Sequence, residues 1–166
     1  RGRPSVLGIS AEANVLPSLA ALQSRLGLSD AELTKVVLRT PSMLGYSVEA
    51  NVLPSLAALQ SRLGLDDAEL KKVVLGLPAV LGYSIEANVL PKVAFFQRDL
   101  GLTDEEVRER VVSYPVMLGY SLEGRLRPRW ELCQSMGLPP SMLFSYASKT
   151  PEAFEEVCTR ARARER

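Results

Sequence analysis

Arg125, Arg127 and Arg129 alternate around Pro128, within Pro115–Thr150, which carries four basic residues against two acidic ones. Guanidinium groups at that density suit phosphate oxygens, which they can meet in a bidentate fork. The proline marks a helix start, where free backbone N–H groups also attract anions. Lys92 stands directly after a proline, as Arg129 does, one unit earlier. A phosphate-binding groove would have to be assembled from these together with Lys71, Lys72, Arg108 and Arg110, since the near-balanced overall charge does not by itself announce a nucleic-acid binder. The competing reading is ordinary: i,i+4 pairing and favourable charges at helix ends, above all for Arg25 and Arg62.

Other chemistries are poorly provided for. The chain has no histidine, which removes the commonest general base and zinc ligand and every Ser-His or Cys-His nucleophile. No glycine-rich loop of the GxxxxGK type is present. Cys133 and Cys158 fit neither a disulfide framework nor metal-ligand spacing, and read as buried or reduced thiols. Glu49 and Glu86 recur at equivalent sites, as caps or surface groups would, and Asp66 with Asp67 opens a helix. The expectation is a protein that is not an enzyme and needs no cofactor.

What positions the cations is a repeat. "LGYSVEANVLP" (Leu44–Pro54) returns as "LGYSIEANVLP" (Leu81–Pro91), with altered copies at Leu7–Pro17 and Leu118–Pro128. Pro4, Pro41, Pro78 and Pro115 are spaced by 37 residues, and Pro17, Pro54, Pro91 and Pro128 step by the same 37. Pro4–Thr40 and Pro41–Leu77 agree at 30 of 37 positions, and Pro41–Leu77 and Pro78–Tyr114 at 19 of 37. A fixed period of this size is the mark of stacked supersecondary units.

Each unit reads as two helices and a tight turn. In the second, Asn51 is the expected N-cap, and Val52, Leu56, Leu59 and Leu63 recur on one face. Pro54 fits the first turn and Gly64 a left-handed C-cap. Ser29 with Glu32, Asp66 with Glu69 and Thr103 with Glu106 have capping-box spacing for the second helix. Leu70, Val73, Val74 and Leu77 form its buried stripe, Pro78 stops it, and "PAVLG" makes a 3₁₀ turn closed by Gly82. Tyr46, Tyr83 and Tyr120 are expected to pack at the corners between units. Burial is expected for Leu56, Leu59, Leu63, Val73, Val74 and Leu81.

The fold expectation is all-α, a right- or left-handed superhelical solenoid of two-helix-plus-3₁₀-turn repeats. Residues 1–150 hold four units, and 151–166 form a terminal helix with a basic end, Arg160, Arg162, Arg164 and Arg166. Arg1 falls inside a repeat, so a fragment or processed product is expected. No apolar run approaches the ~20 residues of a spanning helix, and no membrane association is expected.

The pattern P-x-x-L-G-Y-S-x-E-x-N-x-x-P, followed by L-G-L and a capped second helix, resembles the mitochondrial transcription termination factor (mTERF) family. Pro41, Leu44, Gly45, Tyr46, Ser47, Glu49, Asn51, Pro54, Leu63, Gly64, Leu65 and Pro78 carry it, and it extends over Pro4–Pro151. The resemblance implies an organellar protein of mitochondrion or chloroplast that binds double-stranded DNA, or RNA, and regulates transcription, including its termination, or other steps of gene expression. A monomer is expected. The family's lysine after the second proline is here Ser18, Ser55, Lys92 and Arg129, so two units lack it. The alternative is a protein–protein scaffold, the usual employment of helical solenoids. A base-per-repeat RNA reader needs varied polar residues at one fixed position, and the first two units barely differ.

Overall fold

The computed structural model describes the backbone of residues 6–164 and the side chains of residues 14–164. Every regular element among these residues is helical. The α-helices are α1 (Val6–Leu26), α2 (Asp30–Arg39), α3 (Leu53–Leu63), α4 (Asp67–Gly76), α5 (Leu90–Arg98), α6 (Asp104–Ser113), α7 (Arg127–Ser135), α8 (Pro140–Tyr146) and α9 (Pro151–Arg164). The 3₁₀ turns Pro41–Gly45, Pro78–Gly82 and Pro115–Gly119 fall where the first proline series predicts them. The chain separates into two compact units, Arg1–Ile85 and Glu86–Arg166.

Local chemistry explains the helix ends. Ser29, Asp66 and Thr103 each accept the N–H of the glutamate three residues on, whose carboxylate takes the cap N–H in return. Gly64 closes α3 at φ 63°, a conformation that costs a residue with a Cβ far more than glycine. The Leu65 N–H then reaches the Gln60 carbonyl at 3.0 Å. A side-chain clasp that the sequence reading missed fixes the same corner. Gln23 donates to Asp30, Gln60 to Asp67 and Gln97 to Asp104, at 2.8, 2.9 and 2.6 Å. Its seven-residue spacing recurs with the period of 37, which is the signal that was there to be read.

The expected cap Asn51 is not the cap. Ser47 is, accepting the Ala50 N–H at 3.2 Å from an extended backbone. Helical winding begins at Val48 in a widened π-type turn, Val48–Val52, where the Leu53 N–H reaches back five residues to the Val48 carbonyl. Ile85–Val89 and Leu122–Leu126 repeat this turn just ahead of Pro91 and Pro128. A proline ring has no N–H and collides with the carbonyl four residues earlier, and widening the preceding turn relieves that collision. Pro54, Pro91 and Pro128 each occupy the second position of an α-helix, as expected.

In the first unit Leu22, Val36, Val52, Leu56, Leu59, Leu63, Leu70, Val73, Val74 and Leu81 are buried, every one at 7% exposure or less. Leu77 is only half-buried, because it is the residue after α4 that turns the chain into the 3₁₀ segment. The second unit is built on Phe96, Val107, Val111, Leu126, Leu143 and Phe154. Phe96 packs its ring 5.3 Å from that of Phe144. α9 buries Phe154 and Cys158 in this unit. Tyr46 lies against the backbone of Gly82, where an added Cβ would meet its ring at 3.3 Å.

Candidate nucleic-acid interface

Lys92 and Arg129 directly follow Pro91 and Pro128, and both are withdrawn from solvent, at 5% and 7% exposure. The Lys92 ammonium donates to Asn88 Oδ1 at 2.5 Å and to the Leu118 carbonyl at 2.6 Å. Desolvation pushes its pKa below the usual lysine value. The Arg129 guanidinium donates to the carbonyls of Ala147 and Lys149, just after α8, and stacks 5.0 Å from the Phe154 ring centroid. Burial, followed by repulsion from Arg125, lowers its pKa. These placements correct the expectation of two surface cations aimed at phosphate. A side chain in the first turn of the helix points into the following corner, where orphan carbonyls need donors more than solvent does.

The neighbouring arginines divide differently. Arg127 is half-buried, pairs with Asp99 at 3.2 Å and Glu123 at 3.0 Å, and lies 5.2 Å from the Phe95 centroid. The Glu123 hydrogen bond leads the interactions that raise its pKa. Arg125 stacks on Tyr120 at 4.7 Å and Arg110 on Phe144 at 5.4 Å, both half-buried. The helix start that was expected to offer N–H groups near them lies earlier. Ser121 Oγ already accepts the Gly124 N–H at 2.9 Å.

Of the remaining candidates, Lys71 bridges Glu32 and the Gly27 carbonyl, each at 2.8 Å. The Lys71 hydrogen bond is the first cause that keeps Glu32 below the usual carboxylate range. Arg108 is half-buried and engaged. Lys72 is exposed and makes no ion pair among the described residues. Its counterpart one period earlier is Lys35, also exposed, on α2, which packs beside α4. Arg39, in the last turn of α2, is exposed on the same element. Lys35 and Arg39 were not singled out in the sequence; subtracting 37 from Lys72 finds the first of them. Arg25 donates to Gln60 at 2.5 Å and to Asp67 at 3.2 Å, so it ties two repeats together instead of serving only as a helix-end charge.

Cys133 and Cys158 are free, buried and in contact with one another. Burial drives the Cys133 thiol up to about 12, so it stays protonated and unreactive at neutral pH.

The mTERF family model matches residues 2–155, nearly the full length of the chain. The chain belongs to the mTERF family. That family is one of non-enzymatic helical-repeat proteins. Membership indicates a nucleic-acid partner and a role in organellar gene expression. No curated protein matches this mTERF chain. No helix among the described residues is long and apolar enough to cross a membrane.

Proposed function

We propose that this mTERF chain binds double-stranded nucleic acid in a mitochondrion or chloroplast, mainly through phosphates, and thereby regulates transcription. Family membership across residues 2–155 is the observation that carries the reading. Lys35 and Lys72 are the first phosphate contacts, with Arg39 beside them. All three are exposed and free of ion pairs among the described residues, and Lys35 and Lys72 stand 37 residues apart, one period of the fold. In the second unit the half-buried Arg125, Arg108 and Arg110 act as secondary contacts, while Arg127 must exchange its carboxylates for phosphate. Lys71, Lys92 and Arg129 act indirectly, by holding the repeats that carry the others.

Phosphate binding releases condensed counterions, so affinity falls steeply with salt. The test is titration of a short DNA duplex, and of the matching RNA duplex, over a series of salt concentrations. Replacing Lys35 and Lys72 by alanine should reduce the salt slope by about two units and weaken unrelated sequences equally. Absence of duplex binding at low salt by the folded chain, or an unchanged slope in the variant, refutes the assignment. The scaffold alternative expects no duplex binding at moderate salt.

A further inference from the structure

Lys92 and Arg129 occupy equivalent places one period apart, and so do Asn88 and Arg125. In the earlier frame Asn88 Oδ1 accepts the Lys92 ammonium, so the cation faces an acceptor. In the later frame the acceptor is replaced by a second cation. Arg125 stacks on Tyr120 but makes no hydrogen bond or ion pair among the described residues. Arg129 directs its terminal nitrogens to the Ala147 and Lys149 carbonyls, which leaves its Nε–H without a partner among them. The two guanidinium groups lie close enough to repel one another. Both line a pocket of about 310 Å³ bounded by the Leu122–Leu126 turn, α7 and α9. Gly124 and Leu132 line it where the earlier frame carries the larger Ala87 and Phe95, so the later frame is the roomier. Glu155 also lines it, exposed and ion-paired with neither arginine.

We propose that this pocket binds a small phosphate monoester, whose phosphoryl oxygens lie between the Arg125 guanidinium and the Arg129 Nε–H. A dianion there replaces the repulsion of two like charges with charge-assisted bonds to both, about twice as strong as neutral ones. Arg129 offers a single N–H and Arg125 its whole fork. Three diverging phosphoryl oxygens serve both, where a planar carboxylate serves one fork. The wall of Pro128, Leu132 and Pro151 is apolar and receives the organic half of the ester. Glu155 opposes the ligand, so its charge limits how tightly the pocket holds. Of the duplex contacts proposed above only Arg125 is shared, and a free ester tests the pocket without nucleic acid. The proposal therefore stands whether or not the duplex reading does.

The test is titration of the whole chain with phenyl phosphate, inorganic phosphate and chloride at constant ionic strength, followed by the arginine Nε–H resonances. Phenyl phosphate should move the Arg125 and Arg129 signals saturably, and chloride should move neither. Phenyl phosphate should also bind more tightly than inorganic phosphate, which lacks the part that meets the apolar wall. Arg125→Asn restores the residue type of Asn14, Asn51 and Asn88 and should weaken phenyl phosphate about tenfold or more, with the rest of the amide spectrum unchanged. Glu155→Gln should strengthen it by about two- to fivefold, a change that a merely structural glutamate would not produce. No saturable shift, equal affinity for the two phosphates, or undiminished binding by Arg125→Asn overturns the proposal. Should Arg125→Asn fail to fold, the Arg129 Nε–H shift in the natural chain and the gain from Glu155→Gln decide, and the absence of either overturns it.

Discussion

Arg129 combines a charge, a fork and a stacking plane, and each has a different partner. Its nitrogens satisfy the Ala147 and Lys149 carbonyls while its face covers Phe154. Removing it leaves two carbonyls without donors and uncovers an aromatic ring. Arg129→Ala should therefore cost about 2–4 kcal/mol in urea unfolding, the sum of charged hydrogen bonds and lost packing. Arg129→Lys should recover only part, because one ammonium cannot reproduce the fork. A loss below about 0.5 kcal/mol would show that the carbonyls find other donors or water. Any loss of duplex binding by Arg129→Ala should track loss of folded protein, with no change in salt slope for the folded fraction. Lys35→Ala and Lys72→Ala should behave in the opposite way, since exposed cations without ion pairs contribute little to stability.

At the scale of the element, the caps and turns set where each helix ends. Glu106 has its pKa lowered first by the backbone N–H of Thr103 and then by its hydroxyl. A carboxylate whose folded pKa lies below its unfolded value stabilises the fold above the unfolded value, about 4.3 for glutamate, and stops doing so as pH falls through the folded one. Glu32 is depressed in the same direction. Stability should decline from about pH 5 downward, and the double variant Glu32→Gln, Glu106→Gln should show a flatter acid limb, because glutamine can still serve a capping box. Denaturant midpoints from pH 6 to pH 3 would check this, and an unchanged acid limb would contradict it. Gly64 offers a second element-scale test. A Cβ there meets nothing within 4 Å, so Gly64→Ala isolates the left-handed backbone, with an expected loss of about 1–2 kcal/mol. Gly45, equally open but without a positive φ, should tolerate alanine within about 0.5 kcal/mol.

Across the whole molecule, 20 basic residues are nearly matched by 19 acidic ones, so attraction for a polyanion must come from how the cations are distributed. Arg25, Lys71, Arg127 and Arg160 are among the paired cations, each within reach of a carboxylate. Lys35, Arg39 and Lys72 are exposed and lack such a partner among the described residues. Duplex affinity should respond to the second group through the salt slope and to the first mainly through stability. Lys71→Ala is the discriminating variant. Its ammonium holds Glu32 and the Gly27 carbonyl, so its loss should lower Tm and leave the salt slope of the folded chain nearly unchanged. A slope reduced by about one unit would instead place Lys71 on phosphate.

The prolines, glycines and capping boxes of this chain act through covalent geometry and through partners three to five residues away. For that reason the 37-residue period, the helix stops at Leu77 and Tyr114, the 3₁₀ turns and the left-handed Gly64 were all legible in the sequence. So was the buried face of Leu56, Leu59 and Leu63, because helical spacing alone sets it. Asn51 misled because a widened turn moves the cap to Ser47, and that turn accommodates Pro54, which lies seven residues beyond the cap. The fate of each cation was not legible. Arg125, Arg127 and Arg129 are two residues apart, yet one stacks on Tyr120, one pairs with Asp99 and Glu123, and one is buried against Ala147 and Lys149. Those partners lie up to 28 residues away in sequence, and only the packed structure brings them together. A charge is assigned to phosphate, carboxylate or carbonyl by which acceptor the tertiary fold leaves within reach, and residue type does not encode that choice.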